Sequence, residues 1–446
     1  MRETRNAQTS IFDFYTKHEL SQQFKQLSEL LDEYPQILSW VAQDFDKANM
    51  VSTGACGLSI ESIFRCVLLK QITGLSYKKL AFHLSDSPTY RAFVRLKTQQ
   101  SPSKSSLQAT VRRVQPETLQ QIHHLLMSDW IDQGTLSLDA LRIDSTVVDS
   151  NIAPPLDSQL LNDGVRVLSR LMTKSKNMTG VKIRFVDQRK LSKSLAFRLF
   201  HAKKPEKIAL YPKMLHCVQI TLRQVSKAID KVRLEAIDGT QAEQWVQEIE
   251  HYRSLLLKVI DQTQRRVFNG ERVPAAEKIV SLFEPHTDII VKTFRDVQYG
   301  HKINLATERH GFVTYLKIED GNPADVSLYV PVLDRCQKDY ERTPDAVVAD
   351  GCYASQANIQ HARALGAKRT VFNKPAGLGL HDMGVKKKTF DALRDFRAGV
   401  EGNISELKRA FGLSKATWKG HGGFMAYVWS SVLSYNLIRR VRFSSG

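Results

Sequence analysis

The apolar pattern of this chain predicts an α/β fold in three parts: an all-α N-terminal region, a strand-and-helix core, and a helical insertion after the first core strand. Three observations predict it. Short amphipathic helices separated by serine and glycine breaks fill residues 59–114. Two near-heptad apolar seams lie between residues 218 and 259. Strand-like runs, one ending near residue 144 and others from residue 288 onward, alternate with helical ones.

Residues 1–55 read as an N-terminal arm with short helical patterns. Phe12, Phe14 and Tyr15 sit beside a polar leader, and Leu27, Leu30 and Leu31 follow. Residues 56–135 read as a helical domain. Ile63, Phe64, Val67 and Leu68 share one side of a helix over 61–71, Thr73-Gly74-Leu75 turns the chain, and Ser76 caps a helix over 77–84. Ser87 caps a helix over 88–96, and the serine-rich break at 101–105 precedes one at 106–114. Helix, glycine turn and helix make a helix-turn-helix-like layout, though all-α cores use the same parts. Lys78, Lys79, Arg91, Arg95, Lys104, Arg112 and Arg113 are the cations such a module offers to phosphates.

The core occupies 136–154 and 286–415, interrupted by the insertion at 155–285 and followed by a C-terminal helix at 416–446. In the insertion, Val218, Leu222, Val225, Ile229 and Val232 repeat at spacings of four and three, as do Trp245, Ile249, Tyr252, Leu256 and Val259. The break at Ile237-Asp238-Gly239-Thr240 makes these an antiparallel helical hairpin. Ahead of it, residues 174–213 carry twelve Lys or Arg against Asp187 and Glu206, with Phe185, Phe197 and Phe200 interleaved. That stretch is either a DNA-contacting surface or a solvated basic face. In the resumed core, strands over 288–293, 301–307 and 311–319 lead to a helix at 325–335. A strand closing at Asp350, a helix at 354–365 and a strand at 369–372 follow.

With 64 Lys plus Arg against 46 acids, the formal charge is +18, which suits a polyanionic partner. The five cysteines are scattered without a C-x-x-C pair and read as reduced thiols of a cytoplasmic protein. Neither a membrane-spanning run nor a signal-peptide core is present.

Three carboxylates stand out. Asp144 closes the run Leu141-Arg142-Ile143-Asp144, and Asp350 closes Ala346-Val347-Val348-Ala349-Asp350-Gly351. Glu401 lies in a helical stretch where Arg397, Glu401 and Lys408 share one face. Two acids at strand ends and one on a helix, beside two cations, suit two divalent metals at a phosphodiester. Such ions lie roughly 3.5–4 Å apart, activate an oxygen nucleophile and stabilise the leaving oxygen. Mg²⁺ takes hard oxygen ligands and keeps waters, so few carboxylates suffice. Glu406 lies about 140° around the helix from Glu401 and cannot share that face. Asp149, five residues after Asp144, reads as a turn or cap residue.

On these segments, together with Arg142 through Ile152, Leu160 through Leu168, Tyr299-Gly-His-Lys302, Ala349 through Ser355 and Arg397 through Leu413, the chain resembles DDE-type insertion-sequence transposases. The group is the one often classed as ISNCY, in the integrase-like superfamily. The spacing of Arg397, Glu401 and Lys408 is similar to that family's Y-x2-R-x3-E-x6-K signature, with Arg394 at the tyrosine position. The resemblance runs from about residue 60 to 440. It implies an RNase H-like catalytic core in which Asp144 and Asp350 end neighbouring strands and Asp144, Asp350 and Glu401 hold two Mg²⁺, with Mn²⁺ as a substitute. It further implies cleavage at element ends and 3′-OH strand transfer into target double-stranded DNA.

Arg397 and Lys408 would then position backbone phosphates, and His301 and Lys302 either approach DNA or simply end a strand. A working enzyme must pair two ends, so a dimer or larger multimer on DNA is expected, in the cytoplasm and on the nucleoid. Two other readings stay open: a catalytically silent DNA-binding regulator, and an RNase H-like nuclease that does not join strands.

Overall fold

The computed structural model describes residues 18–46, 57–236, 239–293, 296–373 and 377–445. Phe12, Phe14, Tyr15, Cys56 and the Ile237-Asp238 break lie outside the described residues. The chain divides into two compact units, one of residues 1–151 with 301–446 and one of residues 152–300.

The first unit begins with seven described helices: α1 (Glu19–Asp32), α2 (Gln36–Asp46), α3 (Ile60–Thr73), α4 (Tyr77–Asp86), α5 (Pro88–Val94), α6 (Lys104–Val111) and α7 (Pro116–Asp132). Ser76 and Ser87 cap helices as their spacing predicts, and Ser59 and Ser103 cap two more. Ser59, Ser76, Ser87 and Ser103 each accept a backbone N–H three residues on. The cap at Ser103 starts α6 two residues earlier than the apolar pattern predicts. Gly74, left-handed at φ +63°, ends α3 and makes the turn into α4.

α3 is buried on nearly every side, including Glu61 and Arg65. Arg65 pairs with Glu61 and Asp32, both at 3.1 Å, and Arg95 joins the same two acids. A buried charge persists only when its partner and hydrogen bonds are present, so this quartet ties α1, α3 and the end of α5 together.

Strand β1 (Ala140–Ser150) follows, and the chain leaves the unit at residue 151. On return it supplies the second part of β3 (Asp296–Thr307), then β4 (Val313–Ile318), α12 (Tyr329–Tyr340), β5 (Ala346–Asp350), α13 (Gln356–Ala364), β6 (Arg369–Asn373), a short helix α14 (Leu380–Met383), α15 (Lys387–Ala410), β7 (Lys415–Ala416) and α16 (His421–Ser445). β3 runs between β4 and β1, and β5 and β6 extend the sheet beyond β1. β1, β5 and β6 are parallel, with Ile143 opposite Ala349 in the β1–β5 ladder. β3 and β4 are antiparallel. The result is a mixed sheet behind a helical N-terminal region. α15 packs against β1, β5 and β6.

α16 lies in the core of this unit, packed against α1, α3 and α7. Its buried Ser430 and Asn436 bond to other elements. Gln71 Nε2 donates to Ser430 Oγ at 2.7 Å, and Asn436 exchanges two hydrogen bonds with the Val313 backbone at 2.9 and 2.8 Å. Among the described residues, no helix is long and apolar enough to cross a membrane. Cys66, Cys217 and Cys336 are buried free thiols and Cys352 is an exposed one.

The second unit contains α8 (Asp157–Thr179), α9 (Arg189–His201), α10 (Lys204–Glu235), α11 (Gly239–Val267), β2 (Asp288–Thr293) and the first part of β3, on which β2 pairs antiparallel. The two seams bury the expected residues, among them Val218, Val225, Ile229, Trp245, Ile249 and Val259. They do not bury chiefly one another, however. α10 and α11 both pack on α8, with α9 closing the group. Gly164 of α8 lets α11 approach so closely that a Cβ there would sit 2.4 Å from Leu256 Cδ1. Four helices share one apolar core here, and the hairpin is part of it.

Candidate active site

β1 runs on past Asp144 to Ser150, with Asp149 opposite Lys415 of β7, so the chain neither ends a strand at Asp144 nor turns at Asp149 as the sequence suggests. Asp144 and Asp350 nevertheless each stand one residue beyond the paired couple Ile143 and Ala349, at the carboxyl end of the parallel β1–β5 ladder. Open parallel sheets gather their chemistry at that end. Glu401 reaches the same place from α15. A single guanidinium touches all three: Arg397 Nη2 lies 3.3 Å from Asp144 Oδ2 and 3.7 Å from Asp350 Oδ1, and Nη1 lies 3.0 Å from Glu401 Oε1. Arg397 is 10 % exposed, and its Nε is buried without a hydrogen-bond partner. A cleft of about 540 Å³ opens beside it, lined by Asp144, Glu401, Lys408 and Arg409 among others. The helix spacing places Glu401 and Lys408 along one wall.

Burial pushes the Asp144 carboxyl up to about 6. Arg397 and the Ser145 backbone N–H oppose that rise, while the charges of Asp350 and Glu401 add to it. The carboxylates are thus gathered at a cost that the guanidinium only partly offsets. Among the described residues, no group of three His, Cys, Asp or Glu closes on one point tightly enough to hold an ion as it stands, because Arg397 lies between the acids. The donor set nevertheless fits a divalent cation: three hard oxygen ligands already face one positive charge.

The position of α15 is fixed from below. Arg142, two residues before Asp144 on β1, donates to Thr307 Oγ1 (2.9 Å), Phe396 O (3.0 Å) and Asn403 Oδ1 (2.9 Å). Its guanidinium also lies over the Phe396 ring, 4.8 Å from the centroid. Gly399 makes room for it, since a Cβ there would lie 1.9 Å from Arg142 Nη1. Ser145 adds a second brace, donating to Asp325 Oδ1 at 2.9 Å. Spacing singled out none of Arg142, Gly399, Asn403 or Asp325. A charged residue two before an acid on an otherwise apolar strand was the one available signal, and it marks Arg142 alone.

Other expected contacts are displaced by this structure. Lys302 is buried, with Nζ on Asp325 Oδ1 at 2.6 Å and on Pro323 O at 2.8 Å, and so braces the site from within. His301 is buried with its ring against Phe424 at 4.7 Å. Both lie inside β3 and not at its end, which corrects the strand-ending reading, and burial keeps both side chains from the surface.

Arg91 is likewise structural. Its guanidinium donates to Leu84 O, Gln100 O, Lys97 O and Thr98 O, which commits the Nη donors that a bidentate phosphate grip would use. Arg95 is held by Asp32 and Glu61. Arg112 is exposed and gives Nη2 to Lys419 O, and half-buried Arg113 lies over Phe45. Lys78, Lys79 and Lys104 are exposed. Glu406 faces α16 and pairs with Arg439 and Arg442, as the helix angle requires. Arg394 is exposed and paired with Asp391 and Asp395.

Residues 295–437 match the family described as Transposase DDE domain, and residues 14–113 match the family described as Transposase domain (DUF772). The chain is an insertion-sequence transposase of the DDE type. No curated protein and no solved structure matches it significantly. The DDE-domain match contains Asp350 and Glu401, while Asp144 precedes it on the far side of the inserted unit. Membership makes this a DNA transposase of a family that generally uses divalent metal ions.

Two outcomes test this geometry. Gly399→Ala should cost about 2–3 kcal/mol, because the added Cβ would displace the buried guanidinium from Asn403 Oδ1 and Phe396 O in a closed space. A urea midpoint unchanged from the parent transposase would show that Arg142 does not hold α15. The second concerns pH. The folded Asp144 carboxyl keeps its proton up to about 6, whereas its ordinary value is 3.8, so folding binds a proton between those values. Stability therefore falls as pH rises through that window and levels off above it. Chelator-treated transposase should lose about 3 kcal/mol across it relative to Asp144→Asn. Parallel curves for the two proteins would remove the strain assigned to Asp144.

Proposed function

We propose that Asp144, Asp350 and Glu401 are the catalytic and metal-binding acids of this transposase, set on an RNase H-like core, and that they serve cleavage at element ends and 3′-OH strand transfer. One observation carries the reading: three acids distant in sequence meet at one guanidinium, at the carboxyl end of the parallel β1–β5 ladder. Two Mg²⁺ held by these carboxylates, with Mn²⁺ as a substitute, would supply nucleophile activation and leaving-oxygen stabilisation. The chain's own residues supply placement. Asp144, least exposed of the three, anchors the pocket, and Glu401, most exposed, closes it from the helix.

Lys408 and Arg409 line the cleft beside these acids and would meet phosphates there. The Arg397 guanidinium would hold a phosphate beside the acids as well. Water attacks the phosphorus at the element end and displaces its 3′-oxygen, which leaves as a 3′-OH with the phosphate kept on the flanking 5′ end. That hydroxyl then attacks a target phosphodiester and displaces the target's own 3′-oxygen as a hydroxyl. The protein forms no covalent bond to DNA in either step. On α4 and α6, Lys78, Lys79, Lys104 and Arg112 form the exposed basic set through which the helical region would hold duplex DNA. Pairing two ends calls for at least two protomers.

Asp144→Asn and Glu401→Gln should bind labelled element ends within about twofold of wild type while cleavage falls about a hundredfold or more, the scale of losing one electrostatic group at a reacting centre. Undiminished cleavage would reject the assignment, and nicking without joined products would favour a nuclease. Light scattering of the paired-end complex should give two or more protomers. One protomer holding two ends would rule out assembly.

A further inference from the structure

Neither family match reaches residues 152–294, yet most of the second unit's helices lie there. Its surface is uneven. α9 buries Ser192, Leu195, Ala196 and Leu199 and turns Leu191, Phe197 and Phe200 outward, 52 %, 68 % and 62 % exposed. His201 sits between the two phenylalanines, its ring 4.6 Å from Phe197 and 5.0 Å from Phe200 between centroids. A groove of about 700 Å³ begins at these rings and runs past Arg198 to Leu210 and Lys213 on α10. Between residues 189 and 213 stand eight Lys or Arg and one acid, Glu206.

Leaving a phenylalanine in water forgoes roughly 1.5–3 kcal/mol each, and a monomer seldom groups such side chains without a partner. The charge selects the partner. A second copy of this face would set eight cations against eight, which like-charge repulsion opposes. Duplex DNA would satisfy the cations but keeps its base faces stacked away from the rings. A single strand offers both phosphates for the cations and unstacked bases for the aromatic platform.

We propose that this surface of the second unit binds single-stranded DNA. Phe197, His201 and Phe200 stack on unpaired bases, and Arg198, Lys203 and Lys204 track the backbone. The source of that strand, the unpaired terminus beside a cleaved element end, rests on the function proposed above. The binding does not.

The test uses the full chain carrying Asp144→Asn, so that nothing is cut during measurement. Fluorescence anisotropy compares an oligothymidylate of about 15 nucleotides with a duplex of the same length. Phe197→Ala with Phe200→Ala should weaken the single strand about tenfold or more and the duplex less than about twofold. Phe197→Trp with Phe200→Trp should restore it, which a merely structural role would not do. Equal loss on both ligands, no loss, or tighter binding of an oligouridylate would each overturn the proposal. So would a change in protomer number on sedimentation with single-strand affinity intact. Should wild-type cleavage fail while these affinities behave as expected, the proposed function falls and the surface stands. The converse result separates them the other way.

Discussion

Like charges gather in one corner of a fold only when a counter-charge stands among them, and in this transposase that charge is the Arg397 guanidinium. Its planar fork lets one residue touch Asp144, Asp350 and Glu401 at 3.3, 3.7 and 3.0 Å. Two parallel strands and a helix are thereby held with their acids inward. A lysine, with one charge centre on a flexible stem, could not span three carboxylates in this way. Arg142 supplies the mechanical counterpart. It fastens α15 to β1 through two hydrogen bonds, holds Thr307 of β3 with a third, and needs the missing side chain of Gly399 to do so. The two arginines act on the same helix one turn apart, one from the open side and one from the sheet side. The register of α15, and with it the reach of Glu401, depends on both.

Much of this was legible in the chain because it is local. The strand end at Asp350, the serine caps at 76 and 87, the outward angle of Glu406 and the two apolar seams all follow from periodicity and short-range hydrogen bonding, whereas the strand end read at Asp144 does not hold, because β1 continues to Ser150. What periodicity does not carry is the identity of a distant partner. Arg91 and Lys302 read as free cations, and the fold spends one on four carbonyls and the other on Asp325. The hairpin likewise read as two helices burying each other, because a seam shows that a face is covered without showing by what. α8 covers both. α16 gave the weakest signal of all: a helix apolar on all sides has no direction, so nothing in its sequence says that it belongs at the centre of the first unit.

Polar burial shows where the architecture is least tolerant. Asn436 completes the backbone of Val313 at the start of β4, and the Arg65 and Arg95 quartet locks α1, α3 and α5. Each is a satisfied buried group, and removing one member leaves the rest stranded. Such networks add little net stability over apolar replacements, but they penalise every other arrangement of the same helices. The charges in the site work differently. There the pairing is incomplete, as the raised Asp144 carboxyl and the unpartnered Arg397 Nε both show. Both groups lie where chemistry is proposed.

The exposure of the three acids is graded, and the gradient bears on how the pocket would work. Asp144 is 17 % exposed, Asp350 40 % and Glu401 66 %. Asp144 and Asp350 are fixed by strand register, which allows little movement without breaking ladder hydrogen bonds. Glu401 is held by one contact, to an arginine on its own helix. It can change partners by rotating its side chain, at a cost of about 1–2 kcal/mol of side-chain freedom rather than of backbone structure. Arg397 meets the opposite constraint, being nearly enclosed and bound to all three. Exchange of a guanidinium for metal ions would therefore begin at the exposed end, with Glu401 leaving Arg397 first. The buried aspartate would define where the new charge settles.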